Sequence, residues 1–280
     1  LVAVPAMLKH NYSKNIALGS VMAGGVLGEI IPPAIIMIIF AFIARISIGK
    51  LFFGGLIPGI LLALCYILFI VFTGIISPKS LPKTTETVTW GMRFNSLRVI
   101  FLPCMLVVLV LGSIFLGIAT PTEAAGVGAM GALIICAFNG RLSVEVLRNS
   151  CSETLKITGM ALWILIPATF FGVFYSSAGA QDMIMGFIES LEVSRWAVLI
   201  CMQLTLLVFG MFMDDYAVVT ICAPIMMPIA ILLGFDPIWF AILFILNMQL
   251  AYLSPPFGWA LIMMKGVAPP GITTNDIWRA

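Results

Sequence analysis

Charge is what this chain has least of. Only 9% of its 280 residues are Asp, Glu, Lys or Arg, against about a quarter in an ordinary soluble domain, while 62% are hydrophobic and the mean hydropathy is +1.17. That balance excludes a soluble globular protein and leaves an integral membrane protein. A net charge of +2 gives no reason to expect a nucleic-acid partner. His10 is the only histidine and lies in a basic joint, which argues against a histidine-built catalytic or metal centre. The six cysteines (Cys65, Cys104, Cys136, Cys151, Cys201, Cys222) stand singly, without metal or redox spacing, and read as small packing residues. Alternating ten-residue strands are also missing, whereas runs of about 20 apolar residues recur, so the spans are helices and not a barrel. The chain opens at Leu1 without a recognisable secretory leader, and we expect a fragment that lacks its true start.

With so few charges, those inside apolar sequence are informative. The stretch Gly210-Met211-Phe212-Met213-Asp214-Asp215-Tyr216 carries two adjacent acids, and no other charge falls between Trp196 and Gly234. A carboxylate at bilayer depth costs about 2.5–3.5 kcal/mol on insertion scales. Two in a row need a compensating role, such as holding a cation or lining a wet cavity.

Two other stretches interrupt long apolar runs. Residues 16–44 are broken at Gly24-Gly25-Val26-Leu27-Gly28-Glu29-Ile30-Ile31-Pro32-Pro33, and residues 238–267 at Asn247-Met248-Gln249-Leu250-Ala251-Tyr252-Leu253-Ser254-Pro255-Pro256. Paired prolines remove backbone donors, so each predicts a discontinuous helix with unwound backbone near the midplane. Further spans are expected at about 56–76, 99–119, 121–138 and 157–178, with a helix start at the Thr120-Pro121-Thr122-Glu123 corner. Residues 139–156 interleave charged and apolar side chains as an interfacial helix does.

The two breaks belong to a repeat. Shifting the chain by 223 residues, the offset from Pro5 to Pro228, also superposes Tyr12 on Phe235 and Pro32-Pro33 on Pro255-Pro256 without a gap. The basic joints at 9–14, 79–98 and 141–156 should be cytoplasmic, and the connector with Asp182, Glu189 and Glu192 outside. The alternation survives only if residues 196–233 enter and leave on one face as a re-entrant hairpin. The copies then lie inverted, a common transporter plan in which paired broken helices build a midplane site. Carbonyl ends of half-helices suit a hard cation such as sodium, and their N-terminal ends suit an anion. Asp214 and Asp215 could also cap the second hairpin arm, and we expect one to cap while the other faces the cavity. Glu29 is ambiguous between a protonated acid, a wet edge and an ion ligand. Asn247 and Gln249 could equally serve interhelical hydrogen bonding.

The motifs Gly28 to Pro33, Ser47-Ile48-Gly49-Lys50-Leu51-Phe52, Pro121-Thr122-Glu123-Ala124-Ala125, Gly210 to Asp215 and Ser254-Pro255-Pro256 resemble, in order, those of the large membrane subunit (DctM-like) of TRAP transporters, the tripartite ATP-independent periplasmic transporters. The resemblance covers essentially the whole chain, as an N-terminally truncated piece of such a subunit. It implies an all-α polytopic membrane protein with the ion-transporter-superfamily fold: inverted repeats, a re-entrant hairpin, broken helices and an elevator motion. It also implies sodium as coupling ion with no other cofactor, a small membrane subunit and a periplasmic solute-binding protein as partners, and an organic acid as substrate. Membrane lipid surrounds it, in the cytoplasmic membrane of a bacterium or archaeon.

On that basis the candidate sodium- and substrate-binding residues are Gly24, Gly25, Gly28 and Pro32 in the first break and Gly210, Met213, Asp214 and Asp215 at the hairpin tip. Asn247, Ser254 and Pro255 complete them in the second break, with Asp214 and Asp215 as sodium ligands. The first repeat's hairpin tip is absent from this chain. Tyr216 and Glu29 depart from the residues usual in the family. Residues 1–54 would belong to the transport domain, 55–194 to scaffold helices with a cytoplasmic linker and interfacial arm helix, and 195–280 again to the transport domain. The reading is a non-enzymatic permease importing a small carboxylate with sodium. A proton-coupled relative is the alternative and an intramembrane aspartic protease a remote one, since neighbouring acids diverge instead of sharing a proton.

Overall fold

The computed structural model describes residues 3–78, 81, 90–180, 183, 184, 186, 190, 193–256, 258–269 and 271–280, the side chains of 92–99, 168 and 176 excepted. Lys79, Lys83 and Glu86, and the acids Asp182, Glu189 and Glu192 on which the topology reading leaned, lie outside the described residues, as do the side chains of Arg93 and Arg98. Among the described residues all regular structure is helical. The chain divides into two compact units, residues 1–84 with 167–280, and residues 85–166.

The first unit begins with α1 (Ala3–Lys9) and α2 (Lys14–Val26), the latter started by the Ser13 hydroxyl, which accepts the Ile16 N–H at 3.4 Å. Regular helix stops at Val26 and runs on as a single 3-10 turn, Leu27–Glu29. Pro32 and Pro33, joined by a cis peptide, donate no hydrogen bond and disfavour helix in the residue before them, so α3 (Ile35–Ala44) starts afresh. Arg45, in the left-handed region at φ 55°, closes α3, and Ser47 caps α4 (Ile48–Ile76).

In the second unit α5 (Trp90–Phe115) pairs with α6 (Pro121–Phe138). At the corner Thr120 and Glu123 form a reciprocal capping box, the helix start expected there. Gly131 lets the two helices approach, because a Cβ there would run into the Leu106 side chain. Next comes α7 (Val144–Ser177), one helix of 34 residues. The interfacial segment at 139–156 is therefore largely the beginning of this helix and not a separate element. Ser143 starts it by accepting the Val146 N–H at 3.1 Å, and no glycine or proline interrupts residues 144–158.

The chain then repeats its opening plan. Helices α8 (Arg195–Phe212) and α9 (Asp215–Leu232) are joined by only Met213 and Asp214, which makes a tight hairpin. Asp236 caps α10 (Pro237–Tyr252), with Pro237 in its first turn. A break that holds Leu253, Ser254, the cis pair Pro255-Pro256 and Gly258 precedes α11 (Trp259–Val267) and the short α12 (Thr274–Trp278). The first residues of α2 and α10, Lys14 and Pro237, keep the 223-residue offset of the proline pairs. Both breaks are narrower than the sequence suggested. Gly24 and Gly25 stay helical within α2, and Asn247, Met248 and Gln249 stay helical within α10, because polar or small side chains alone do not interrupt the backbone ladder.

Packing crosses between the copies. Hairpin arm α9 lies against α3 of the first copy as well as α10 of its own, and Phe40 of α3 meets Phe244 of α10 edge-on with centroids 5.0 Å apart. On the other side Val4 of α1, Leu18 and Met22 of α2, Leu261 and Met264 of α11 and Ile277 of α12 form one buried cluster. The helix before the joint in each copy, α1 and α9, thus seats against the half-helix after the break of the other copy, α11 and α3. The exposed surface of α4 is apolar (Ile57, Leu61, Leu68, Phe72, Ile75), as a lipid-facing helix requires. Among the described residues five helices are long and apolar enough to cross a membrane: α4, α6, α7, α8 and α9.

Candidate ion and substrate site

The hairpin tip is built by close approach. A Cβ on Gly210 would lie 2.6 Å from the Ala251 Cβ and 3.2 Å from the Met248 Cε, so glycine lets α8 press against the end of α10. Met213 is extended and closes α8 through its N–H to the Phe209 carbonyl at 2.9 Å. The two acids then separate. Asp214 is the N-cap of α9, its Oδ1 accepting the Ala217 N–H at 3.3 Å, where a carboxylate also meets the positive end of the helix.

Asp215 turns inward and is only 3% exposed. Its Oδ1 accepts the Tyr216 N–H at 2.9 Å, and the Tyr252 hydroxyl, from the last residue of α10, donates to the same carboxylate. A buried carboxyl group needs such donors, a cation or a proton. Glu29, in the 3-10 turn of the first break, interacts electrostatically with Asp215, and the side chains of Tyr216 and Tyr252 interact with both acids. The first break, the hairpin tip and the end of α10 therefore meet in one cluster. Among the described residues the ion pairs are Lys14–Asp276 and Lys156–Glu153, and neither involves these acids.

The remaining candidates divide. Gly28 stands next to Glu29 in the turn, and Pro32 is buried behind it. Ser254 spends its hydroxyl on the Leu250 carbonyl at 2.7 Å, and Pro255 is exposed. Gly24 and Gly25 are exposed on α2, with open space where a Cβ would stand. Asn247 is engaged elsewhere: its amide donates to the backbone and side-chain oxygens of Gln203 in α8, both at 2.7 Å, an interhelical clamp.

Two features escaped the sequence reading, and a third residue, weighed there for interhelical hydrogen bonding, is left unpaired. Tyr252 holds Asp215, although it was visible only as part of a break. Gly258, at φ 39°, would put a Cβ 2.8 Å from the carbonyl oxygens of both Tyr252 and Ser254, so only glycine makes that turn; the run Pro255-Pro256-Phe257-Gly258 was the available signal. Gln249 is 2% exposed with neither amide atom hydrogen-bonded among the described residues.

Among the described residues no three His, Cys, Asp or Glu side chains form a metal cluster. Oxygens for a hard monovalent cation would come from Asp215 and from carbonyls that the helix ends at residues 26–31 and 250–254 leave without intrahelical donors. Outside the spans, the Thr273 N–H, the Thr273 hydroxyl and Lys14 together hold the Asp276 carboxyl below its usual range and fasten α12 to the start of α2.

Apolar spans, two broken helices and a hairpin with a buried acid at its tip define a multi-pass helical membrane protein. Comparison with known proteins agrees. The family model for the tripartite ATP-independent periplasmic transporter, DctM component, matches residues 1–279, and the chain belongs to that family. It is 33% identical over 278 residues to the C4-dicarboxylate TRAP transporter large permease protein DctM of Pseudomonas aeruginosa, covering 97% of this chain and 64% of that protein. It is 32% identical to the sialic acid TRAP transporter permease protein SiaT of Haemophilus influenzae, covering 97% and 44%. A third relative, the 2,3-diketo-L-gulonate TRAP transporter large permease protein YiaN of Escherichia coli, is 31% identical, with 95% and 62% covered. The chain thus spans just under two thirds of the length of such large permeases.

Proposed function

We propose that the chain is the part of a large permease subunit that couples a sodium ion to the import of a small organic acid. The observation that carries this reading is the convergence of Glu29, Asp214, Asp215 and Tyr252 from two helix breaks and a hairpin tip, with no basic residue paired to them among the described residues. A buried acid without a cationic partner calls for a cation from outside. Bound between the tip and the breaks, sodium would order both at once, so that ion and substrate affinities become linked free energies. Asp215 would be the ligand and Asp214 would set its position by capping α9. Gly28, Gly210, Met213, Ser254 and Pro255 would shape the backbone around it.

In this reading residues 1–54 and 195–280 move together as a transport domain against the helices of 55–194, carrying the site across the membrane in an elevator motion. The hairpin is re-entrant, and the repeats are inverted. A small membrane subunit and a periplasmic solute-binding protein complete the transporter, as the family's tripartite description supports. The relatives named for C4-dicarboxylates, sialic acid and 2,3-diketo-L-gulonate support an organic acid as substrate.

The test is uptake by the complete transporter in proteoliposomes, with binding protein and substrate outside. An imposed sodium gradient should drive accumulation, and a proton gradient alone should not. Accumulation driven by protons in sodium-free buffer would replace sodium by a proton as the coupling ion.

A further inference from the structure

Away from the hairpin tip, the first unit contains a cavity of about 830 Å³, within the range of about 300–1,000 Å³ in which proteins hold small molecules. Its walls come from the ends of three helices: residues 42–45 at the end of α3, positions within 169–177 of α7 and positions within 223–232 of α9. The walls are largely apolar, and the cavity opens sideways as a groove, because Phe42, Val173, Ile231 and Leu232 line it and are also exposed. On a multi-pass helical protein such an opening meets the bilayer. Helix α7 comes closest to α9 where Gly172 faces Pro224, a Cβ there lying 3.5 Å from the Pro224 Cβ.

Arg45 is the independent observation. It is the one charged residue on the wall, and no acid lines the groove. Among the described residues it takes part in no ion pair. Nor do the helix ends call for its charge, because the chain closes them itself. The Ile46 N–H returns to the Ala41 carbonyl at 3.0 Å at the end of α3, and the Phe235 N–H to the Ala230 carbonyl at 3.0 Å at the end of α9. Lys50, in the first turn of α4, adds a second positive charge a few residues further on. The hydroxyl of Ser177, also on the wall, is already spent on the Val173 carbonyl at 2.8 Å.

We propose that this groove binds an anionic phospholipid, with an acyl chain between α3, α7 and α9 and the phosphate at Arg45. An arginine at the end of a span stands at headgroup depth, where a basic residue attracts anionic lipid. A free phosphate would give up its water for one guanidinium and apolar walls, whereas a lipid phosphate is carried there by the burial of its chain. No residue of the hairpin tip lines the groove, so lipid occupancy is read independently of the coupling ion.

The experiment uses the complete transporter, purified in detergent and stripped of lipid. Native mass spectrometry counts bound lipid during titration with phosphatidylglycerol or with phosphatidylcholine of the same acyl chains. Phosphatidylglycerol should half-occupy its first site at a concentration at least about fivefold lower. Arg45→Gln should bring that ratio close to one and Arg45→Lys should keep it, while Arg141→Gln, an exposed basic residue outside the groove, should leave it unchanged. Gly172→Leu, which puts a side chain beside Pro224, should weaken both lipids together and melt no lower than the parent in lipid-free detergent. A ratio near one in the parent, a preference that survives Arg45→Gln or is lost in Arg141→Gln, or undiminished binding in Gly172→Leu would each overturn the proposal. So would failure to take up either lipid, the result expected if a protein segment fills the groove, and displacement of the lipid by inorganic phosphate, which would make Arg45 a site for the free anion.

Discussion

The hydroxyl of Tyr252 donates to the buried carboxylate of Asp215, so the last residue of one broken helix holds the first residue of a hairpin arm. This bond joins the two halves of the cluster. A hydrogen bond to a charged group contributes about 1.5–3 kcal/mol, at least about a factor of ten in an equilibrium constant. Tyr252→Phe keeps the ring and removes the donor. The half-saturating sodium concentration for uptake should rise about tenfold or more, with membrane insertion unchanged; an unaltered sodium dependence would mean that the bond does not position Asp215 for the ion.

The seat of the hairpin is equally specific. Gly210→Ala places a methyl group against Ala251 and Met248, and overpacking of this kind costs about 1–3 kcal/mol. Lower melting temperature should accompany a loss of uptake, because α8 can no longer press onto α10. Ala251→Gly in the same chain should restore part of both, and the pair of variants is best read by thermal unfolding of the purified subunit. Additive losses in the double variant would rule out the contact as the cause.

Proton linkage can be read at the far end of the chain, outside the spans. Thr273 and Lys14 depress the Asp276 carboxyl, so its folded value lies below its unfolded one. The stabilisation it lends is therefore present above the ordinary carboxylate range and is lost as pH falls through the depressed folded value. Hydrogen exchange of residues 271–280 should be slow near neutral pH and accelerate in strong acid, after correction for intrinsic rates. Asp276→Asn should exchange faster at neutral pH and show a weaker acid dependence.

The breaks were legible because proline acts on its own backbone: Pro32-Pro33 and Pro255-Pro256 interrupt helices wherever they stand. The hairpin was read from the loop charges, whose alternation asked residues 196–233 to enter and leave on one face, with the acid pair Asp214 and Asp215 at its tip. Their division of labour followed the expectation for capping, with Asp214 on α9, while the inward turn of Asp215 was settled by packing. How far each break extends was not legible, because Gly24, Gly25 and Asn247 are compatible with helix as well as with unwound backbone. Asn247 shows the limit most clearly. Its partner Gln203 is distant in sequence, and only the docking of α8 on α10 brings them together. Tyr252 was hidden for the same reason, since its neighbours belong to other helices. Glu29 and Tyr216, from the first break and the hairpin tip, both interact with Asp215.

The central claim is that Asp215, and not its neighbour, faces the coupling ion. Asparagine caps a helix about as well as aspartate, so Asp214→Asn should leave the tip folded, whereas Asp215→Asn removes the buried negative charge without changing its size. The decisive measurement is sodium-dependent uptake by the complete transporter in proteoliposomes carrying each variant. Sodium-driven uptake should fall by at least about tenfold in Asp215→Asn and by far less in Asp214→Asn. Full sodium-driven uptake in Asp215→Asn would contradict the account.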